Sequence, residues 1–269
     1  MKKNLLRRLI RGERPVMKLT PRAEMIAAHL ALGGRGVEYG PLHRRLLPKP
    51  DCNVLYVDYA DREFLIKHYE KNPEVDVNLI PEIDIVTNGK SLDNFLEAGT
   101  LDYVLASHVM EHVPDLLGWL ETNLSLLKVG GRIAVAFPDK RYCFDIKRRS
   151  TYLSDILCAY MEKRTRPTFQ QICDHFWNVS KVTPTSAWDG SVNALNAEYI
   201  HSREQAIAIM RSKVNSDEYI DCHCWIFEDK EFISALNELK KYSSINFSVM
   251  SFTATRYNTL EFYVTIERN

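Results

Sequence analysis

Glycine is scarce in this chain, 11 of 269 residues, and no G-x-G-x-x-G run follows a strand. That run brings a backbone close to a pyrophosphate in nicotinamide enzymes, so its absence argues against a dehydrogenase. Cysteine is sparse too. Six residues are too few for a disulfide scaffold, and reduced thiols in a cytoplasmic setting are the expectation. No apolar run approaches the roughly 18–20 residues of a membrane span. Neither sign of charge is in excess: 35 basic residues face 35 acidic ones, which speaks against a dedicated nucleic-acid binder. Apolar content of 45% and charged content of 26% are ordinary, so disordered and fibrous architectures are excluded for the bulk of the chain. The length suits one domain of enzyme size, or a core with a large insertion.

The balanced charge hides an asymmetry. Residues 1–23 carry Lys2, Lys3, Arg7, Arg8, Arg11, Arg14, Lys18 and Arg22 against the single acid Glu13. Leu5, Leu6, Leu9 and Ile10 share one helical face within that stretch. Two readings stand: a basic amphipathic helix touching a membrane surface through residues 1–14, or a solvated helix on the domain edge. Pro15, which ends the segment early, favours the second. Residues 1–34 read as a helical basic extension.

From residue 36 strands and helices alternate. Strands are expected at 36–39, 53–57, 83–86, 103–106 and 132–137, with helices at 61–70, 91–97 and 114–127 between them. Such alternation implies βαβ units and a parallel sheet. Residues 142–222 break the rhythm. They are polar, helical in tendency and rich in aromatics, too long for a connection, and read as an inserted cap or substrate-binding region. A helix at 228–241 and two strands at 246–253 and 259–266 then close the chain, the strands near enough in sequence to pair antiparallel. The core is therefore 35–141 together with 223–269.

The residues that carry chemistry cluster at strand ends. Gly40 directly follows the first strand, where it either lets a ligand approach the backbone or simply makes a turn. Asp58 ends the second strand, 18 residues on, and reads as a carboxylate for two ribose hydroxyls or as a cap for the next helix. After the fourth strand comes Ser107-His108-Val109-Met110-Glu111-His112. On a helical turn His108, Glu111 and His112 share a face, so they suit acid/base work, a divalent metal, or a hydrogen-bonded turn. After the fifth strand come Asp139, Lys140, Arg141 and Tyr142, where Lys140 and Arg141 suit a phosphate or carboxylate of a substrate. In Cys222-His223-Cys224 no second cysteine pair lies nearby, so packing is the better reading of the cysteines. On a strand, His223 would face away from them. His175 and His201 read as structural.

Together these residues resemble class I S-adenosylmethionine-dependent methyltransferases of the type 11 kind. The stretch from Leu101 to Asp115, then Gly130-Gly131-Arg132 and a strand, is similar to that family's fourth strand, helix start and fifth strand. Similar bacterial methyltransferases carry E-x-G-P-L, Y-V-D, H-V-x-E-H-V-P-D and P-D-K-R-Y, some of them in surface-polysaccharide pathways. The resemblance implies a Rossmann-like α/β sheet of seven strands, mostly parallel with an antiparallel C-terminal pair. It implies that Glu38, Gly40, Asp58, Asn88, Ser107 and His108 bind S-adenosylmethionine. Pro41-Leu42 departs from the full E-x-G-x-G-x-G loop. The implied activity is O-methylation of a small molecule such as a sugar or phosphorylated metabolite. His108 or His112 would be the base, and Asp139, Lys140, Arg141 and Tyr142 would bind the acceptor. His108-x-x-Glu111-His112 also resembles the E-x-x-E-H metal motif of ubiquinone-pathway and small-RNA methyltransferases, with His223 as a further metal candidate. Two other readings stand beside this one: a non-catalytic scaffold that has lost the cofactor, and a metal-dependent hydrolase.

Overall fold

The computed structural model describes residues 19–49, 51–214, 216 and 219–269. The basic stretch 1–14 lies outside them. The first described helix, α1 (Pro21–Ala27), has Thr20 as its cap. Then follow β1 (Gly36–Tyr39), β2 (Val54–Asp58), α2 (Arg62–Tyr69), β3 (Ile85–Val86), β4 (Leu101–Ser107), α3 (Leu116–Leu126) and β5 (Leu127–Pro138). Helices α4 (Leu153–Glu162), α5 (Phe169–Asn178), α6 (Pro184–Trp188) and α7 (Arg203–Lys213) fill the expected insertion, and α8 (Asp229–Leu239), β6 (Phe247–Thr253) and β7 (Glu261–Arg268) close the chain. No helix among the described residues is long and apolar enough to cross a membrane.

The strands form one sheet in the order β3-β2-β1-β4-β5-β7-β6. Strands β1 to β5 pair parallel, and β7 runs antiparallel to both β5 and β6. The order reverses between β1 and β4, so a crevice opens outside their carboxyl ends, where open α/β sheets take ligands. Because Pro138 pairs with Glu261, the start of β7 lies at the same edge as the end of β5.

Period-2 alternation sorts the sheet residues into two core layers. Val104, Ile133, Val135 and Phe137 pack on one face with α3 and α8; Tyr103, Leu105, Ala134 and Ala136 pack on the other with Ala23, Ile26 and Ala27 of α1. Phe137, Phe227, Phe232 and Phe262 form an aromatic knot that fastens α8 to β5 and β7. Gly36 allows close packing, since a Cβ there would meet the Tyr103 ring at 2.2 Å.

Several expectations need correction. The helix at 91–97 shrinks to a 3-10 turn, Leu92–Asn94. Strand β5 starts five residues early, at Leu127, and runs through Gly130-Gly131. The segment around Cys222-His223-Cys224 belongs to no strand. It is held instead by the Glu111 carbonyl, which accepts the Cys224 N–H at 2.7 Å and the Trp225 N–H at 3.3 Å. None of the six cysteines is in a disulfide.

Glu38 of β1 is buried, and its carboxylate accepts the Leu46 and Leu47 N–H groups at 2.6 and 2.9 Å. It therefore shapes the loop after β1, each of its oxygens taking one backbone N–H. Burial pushes its carboxyl from 4.5 up to about 7, against those two hydrogen bonds. A carboxyl whose pKa is higher in the fold than in the unfolded chain binds more protons when folded. Stability therefore falls as pH rises through that window, by up to roughly 3 kcal/mol. Glu38→Gln removes the titrating group. Urea denaturation across this pH window should give a flatter stability curve for the variant, and an unchanged slope would contradict the assignment.

Candidate active site

The site starts where β4 ends. His108 takes a left-handed backbone, φ +53, a conformation that costs a non-glycine residue about 1 kcal/mol or more. Gly40 after β1 is left-handed as well, φ +57, and a Cβ there would touch Val109 at 3.4 Å. The loops after β1 and β4 thus meet at the switch point. Asp58 ends β2 half-buried, its Oδ1 accepting the Tyr59 N–H at 2.7 Å. It does not cap α2, because Asp61 does so through Phe64 N–H. Asn88 sits in an exposed left-handed turn after β3.

Ser107 Oγ receives a hydrogen bond from Arg22 Nη2 at 2.6 Å. Arg22, on α1, also binds both oxygens of Glu261 at 2.6 and 2.7 Å, and Tyr263 donates to Glu261 at 2.7 Å. Glu261 in turn holds His108 Nε2 at 2.7 Å. The other ring nitrogen, Nδ1, lies 3.4 Å from Glu111 Oε1. Burial pulls the His108 imidazolium down, but the adjoining carboxylates of Glu111 and Glu261 outweigh it and raise it to about 9.

Glu111 is wholly buried, and neither of its oxygens has a hydrogen-bond partner. His112 Nε2 and His223 Nε2 each lie 3.9 Å from its Oε1. Burial pushes the Glu111 carboxyl up; the three surrounding imidazoles outweigh that and hold it below its usual range. His112 and His223 are held from behind. Asp221 takes His112 Nδ1 at 2.8 Å, and Asp145 takes His223 Nδ1 at 2.6 Å. Asp145 is locked by Arg148, which also binds Asp174 and the His223 carbonyl. His175 approaches His223 with ring centroids 6.4 Å apart, and burial drives it down to about 3, so it is neutral.

A cavity of about 240 Å³ joins these groups, lined by His108, Glu111, His112 and His223 with Tyr142, Phe144, Val182 and Leu260 among its walls. Tyr142 stacks face to face on Trp188 at 4.1 Å, which brings the insertion to the cavity. Asp139 and Arg141 do not join it as expected. Arg141 spends its guanidinium on Asp139, Asp229 and Glu228, and Asp139 also takes Thr255 Oγ1. Both fasten the chain after β5, leaving Lys140 as the cation without an ion pair there among the described residues. His201 lies outside the cavity lining, its ring 5.8 Å from Phe176.

Sequence reasoning missed Arg22, Asp145, Arg148, Asp221 and Glu261. The available signal was weak: Glu261 is an acid opening an otherwise apolar strand, and Asp221 stands two residues before His223.

Strand order and directions are those of the Rossmann-like, seven-stranded methyltransferase sheet. No family model and no curated protein matches the chain. Among solved structures it is similar to a Rhodobacter sphaeroides protein provisionally described as a Zn-dependent alcohol dehydrogenase. The identity is 12% and the TM-score 0.51, over 94% of this chain and 92% of that one. It is similar as well to an S-adenosylmethionine-dependent methyltransferase from Methanosarcina mazei, at 14% identity and TM-score 0.40, over 94% and 98% of the two chains. A third is the trans-methyltransferase CalH in complex with SAH, at 13% and 0.42, over 93% and 55%. At such identities the likeness concerns the fold.

The Asp145–Arg148 pair supports His223 from inside the protein, with side chains 2% and 1% exposed. Removing one partner of such a pair leaves a bare buried charge. Arg148→Met should therefore cost about 3–5 kcal/mol in urea denaturation. Lys49→Met, which breaks the exposed Lys49–Asp84 pair, should cost about 0–1 kcal/mol.

Proposed function

We propose that the protein transfers a methyl group from S-adenosylmethionine to a hydroxyl oxygen of a small acceptor. The observation that carries this reading is the switch point itself. Gly40 and the Ser107-His108 turn flank the crevice, with the Asp58 carboxylate at the tip of the neighbouring strand. These residues fit the cofactor in kind. Asp58 suits the two ribose hydroxyls, the left-handed Gly40 lets the loop approach the methionine part, and Asn88 lies beyond β3 for the adenine side.

S-adenosylmethionine, when bound, would supply an activated methyl group, the C–S electron pair leaving with sulfur as a C–O bond forms to the acceptor. The chain's own part is to align the acceptor and remove its proton. His108 suits the second task. Glu261 fixes Nε2, Arg22 and Tyr263 fix Glu261, and Nδ1, 3.4 Å from Glu111 Oε1 in the cavity wall, is the nitrogen that would take the acceptor's proton. The flanking acids make it a strong base, and one that is mainly protonated at neutral pH. The cavity suits a hydroxyl-bearing group of sugar size beside the Tyr142–Trp188 stack. The phosphate part of the expectation loses Arg141 and retains only Lys140.

Thermal shift with S-adenosylhomocysteine tests the cofactor pocket. At a hundredfold excess over Kd the bound state gains about 2.7 kcal/mol. The melting temperature should rise by roughly 5 °C or more, and Asp58→Ala should abolish the rise. No rise at millimolar ligand would sink the reading. His108→Ala should keep the thermal shift while lowering turnover by about 10²–10⁴-fold. Unaltered turnover would remove His108 as the base.

A further inference from the structure

We propose that Glu111, His112 and His223 hold a divalent first-row metal ion, zinc or iron(II) in kind, whose remaining coordination positions face the 240 Å³ cavity. Four observations converge on it. First, Glu111 is fully buried with neither oxygen in hydrogen-bonding geometry, the imidazoles of His108, His112 and His223 standing 3.4, 3.9 and 3.9 Å from its Oε1, a costly state that a metal ion among them would relieve. Second, its 3.9 Å separations from His112 Nε2 and His223 Nε2 are too long for hydrogen bonds. An ion with ligand distances of about 2.0–2.2 Å sets its ligand atoms roughly 3–4 Å apart, so these gaps suit one. Third, each imidazole donates Nδ1–H to a carboxylate, Asp221 or Asp145, which turns the Nε2 lone pair toward Glu111. That carboxylate–histidine arrangement orients metal ligands and raises their basicity. Fourth, the candidate ligand atoms all lie within 4.8 Å of one another.

Two imidazoles and one carboxylate select a transition metal over magnesium or calcium, which favour all-oxygen shells. Three protein ligands leave open positions, as in catalytic sites. His108 contributes no atom to the cluster of Glu111, His112 and His223 ligand atoms, although its Nδ1 lies 3.4 Å from Glu111 Oε1, so the residue that opens the sequence motif is separate from the ligands. This bears on the acceptor and rests on the methyl-transfer reading: an acceptor with two adjacent oxygens, a vicinal diol or an α-hydroxy acid, can chelate the ion with one oxygen near His108.

The test uses the purified full-length chain, stripped with a chelator and titrated with Zn²⁺ by calorimetry and with Co²⁺ by visible absorption. The expected result is one ion per chain, undisplaced by millimolar Mg²⁺, with a Co²⁺ spectrum of mixed nitrogen and oxygen ligation. His223→Ala should abolish binding, and His108→Ala should retain it. In case His223→Ala fails to fold, Asp221→Asn probes the same site from the exposed side and should weaken binding about 10–100-fold. No stoichiometric ion, or binding indifferent to both His223→Ala and Asp221→Asn, would overturn the proposal. The thermal shift with S-adenosylhomocysteine is read in parallel. A bound metal without that shift would sink the methyl-transfer reading alone, and the shift without a metal would sink the metal alone.

Discussion

A carboxylate buried without hydrogen bonds organises this molecule's chemistry. Glu111 places one acid where no donor of the chain makes a hydrogen bond to it. Its own backbone carbonyl accepts two N–H groups from residues 224 and 225, while its side chain sits among three imidazoles. The charge and the chain path are therefore solved together. The hydrogen bonds that bring the 219–226 segment onto the turn after β4 also deliver His223 to the carboxylate. Trp225 adds a bond from its indole N–H to the Val113 carbonyl at 2.6 Å, so the pairing holds on both sides of the turn. An isolated buried charge would cost several kcal/mol. Here the imidazoles that relieve it also define the cavity wall.

Each of those imidazoles has its own acid, and each acid comes from a different part of the chain. Glu261 on β7 serves His108, Asp221 serves His112, and Asp145 after β5 serves His223. Two of the acids are buried and carry cations of their own, Arg22 for Glu261 and Arg148 for Asp145. The exposed one, Asp221, pairs with no lysine or arginine among the described residues. This gradation follows dielectric: a carboxylate deep in the protein needs a guanidinium to stay ionised, and one at the surface has water.

The sheet was legible because its signals are local. Val104 and Leu105, or Val135 and Ala136, alternate between two apolar layers, and the Asp, Gly and Pro residues that end strands stand in sequence beside them. The start of β5 was hidden because Lys128, Val129 and Gly130 are exposed and carry no alternation. The turn from His108 to His112 was legible as a cluster for the same local reason. Its partners were not, since 153 residues separate His108 from Glu261 and 112 separate Glu111 from His223 in the chain. For His223 the strand rule did not apply: sheet alternation has no force on a segment outside any strand, held by the Glu111 and Val113 carbonyls and by Arg148. Arg141 shows the same limit for a long-range ion pair. A cation at a strand's carboxyl end looks available in sequence, yet Asp139 and Asp229 had already claimed it.

Helix α1 draws the extension before the sheet into the site. Its apolar residues Ala23, Ile26 and Ala27 pack beneath β5 and β7, and that packing aims Arg22 past Glu261 to Ser107. The extension thus sets the charge on Glu261, Glu261 sets the orientation of His108, and His108 stands over the crevice between β1 and β4. Loss of α1 would bare the sheet face that Ala23, Ile26 and Ala27 cover and deprive Glu261 of its guanidinium. The packing of that face and the competence of the sheet's edge therefore depend on the same helix. A segment with no strand of its own supplies the charge on which the edge relies.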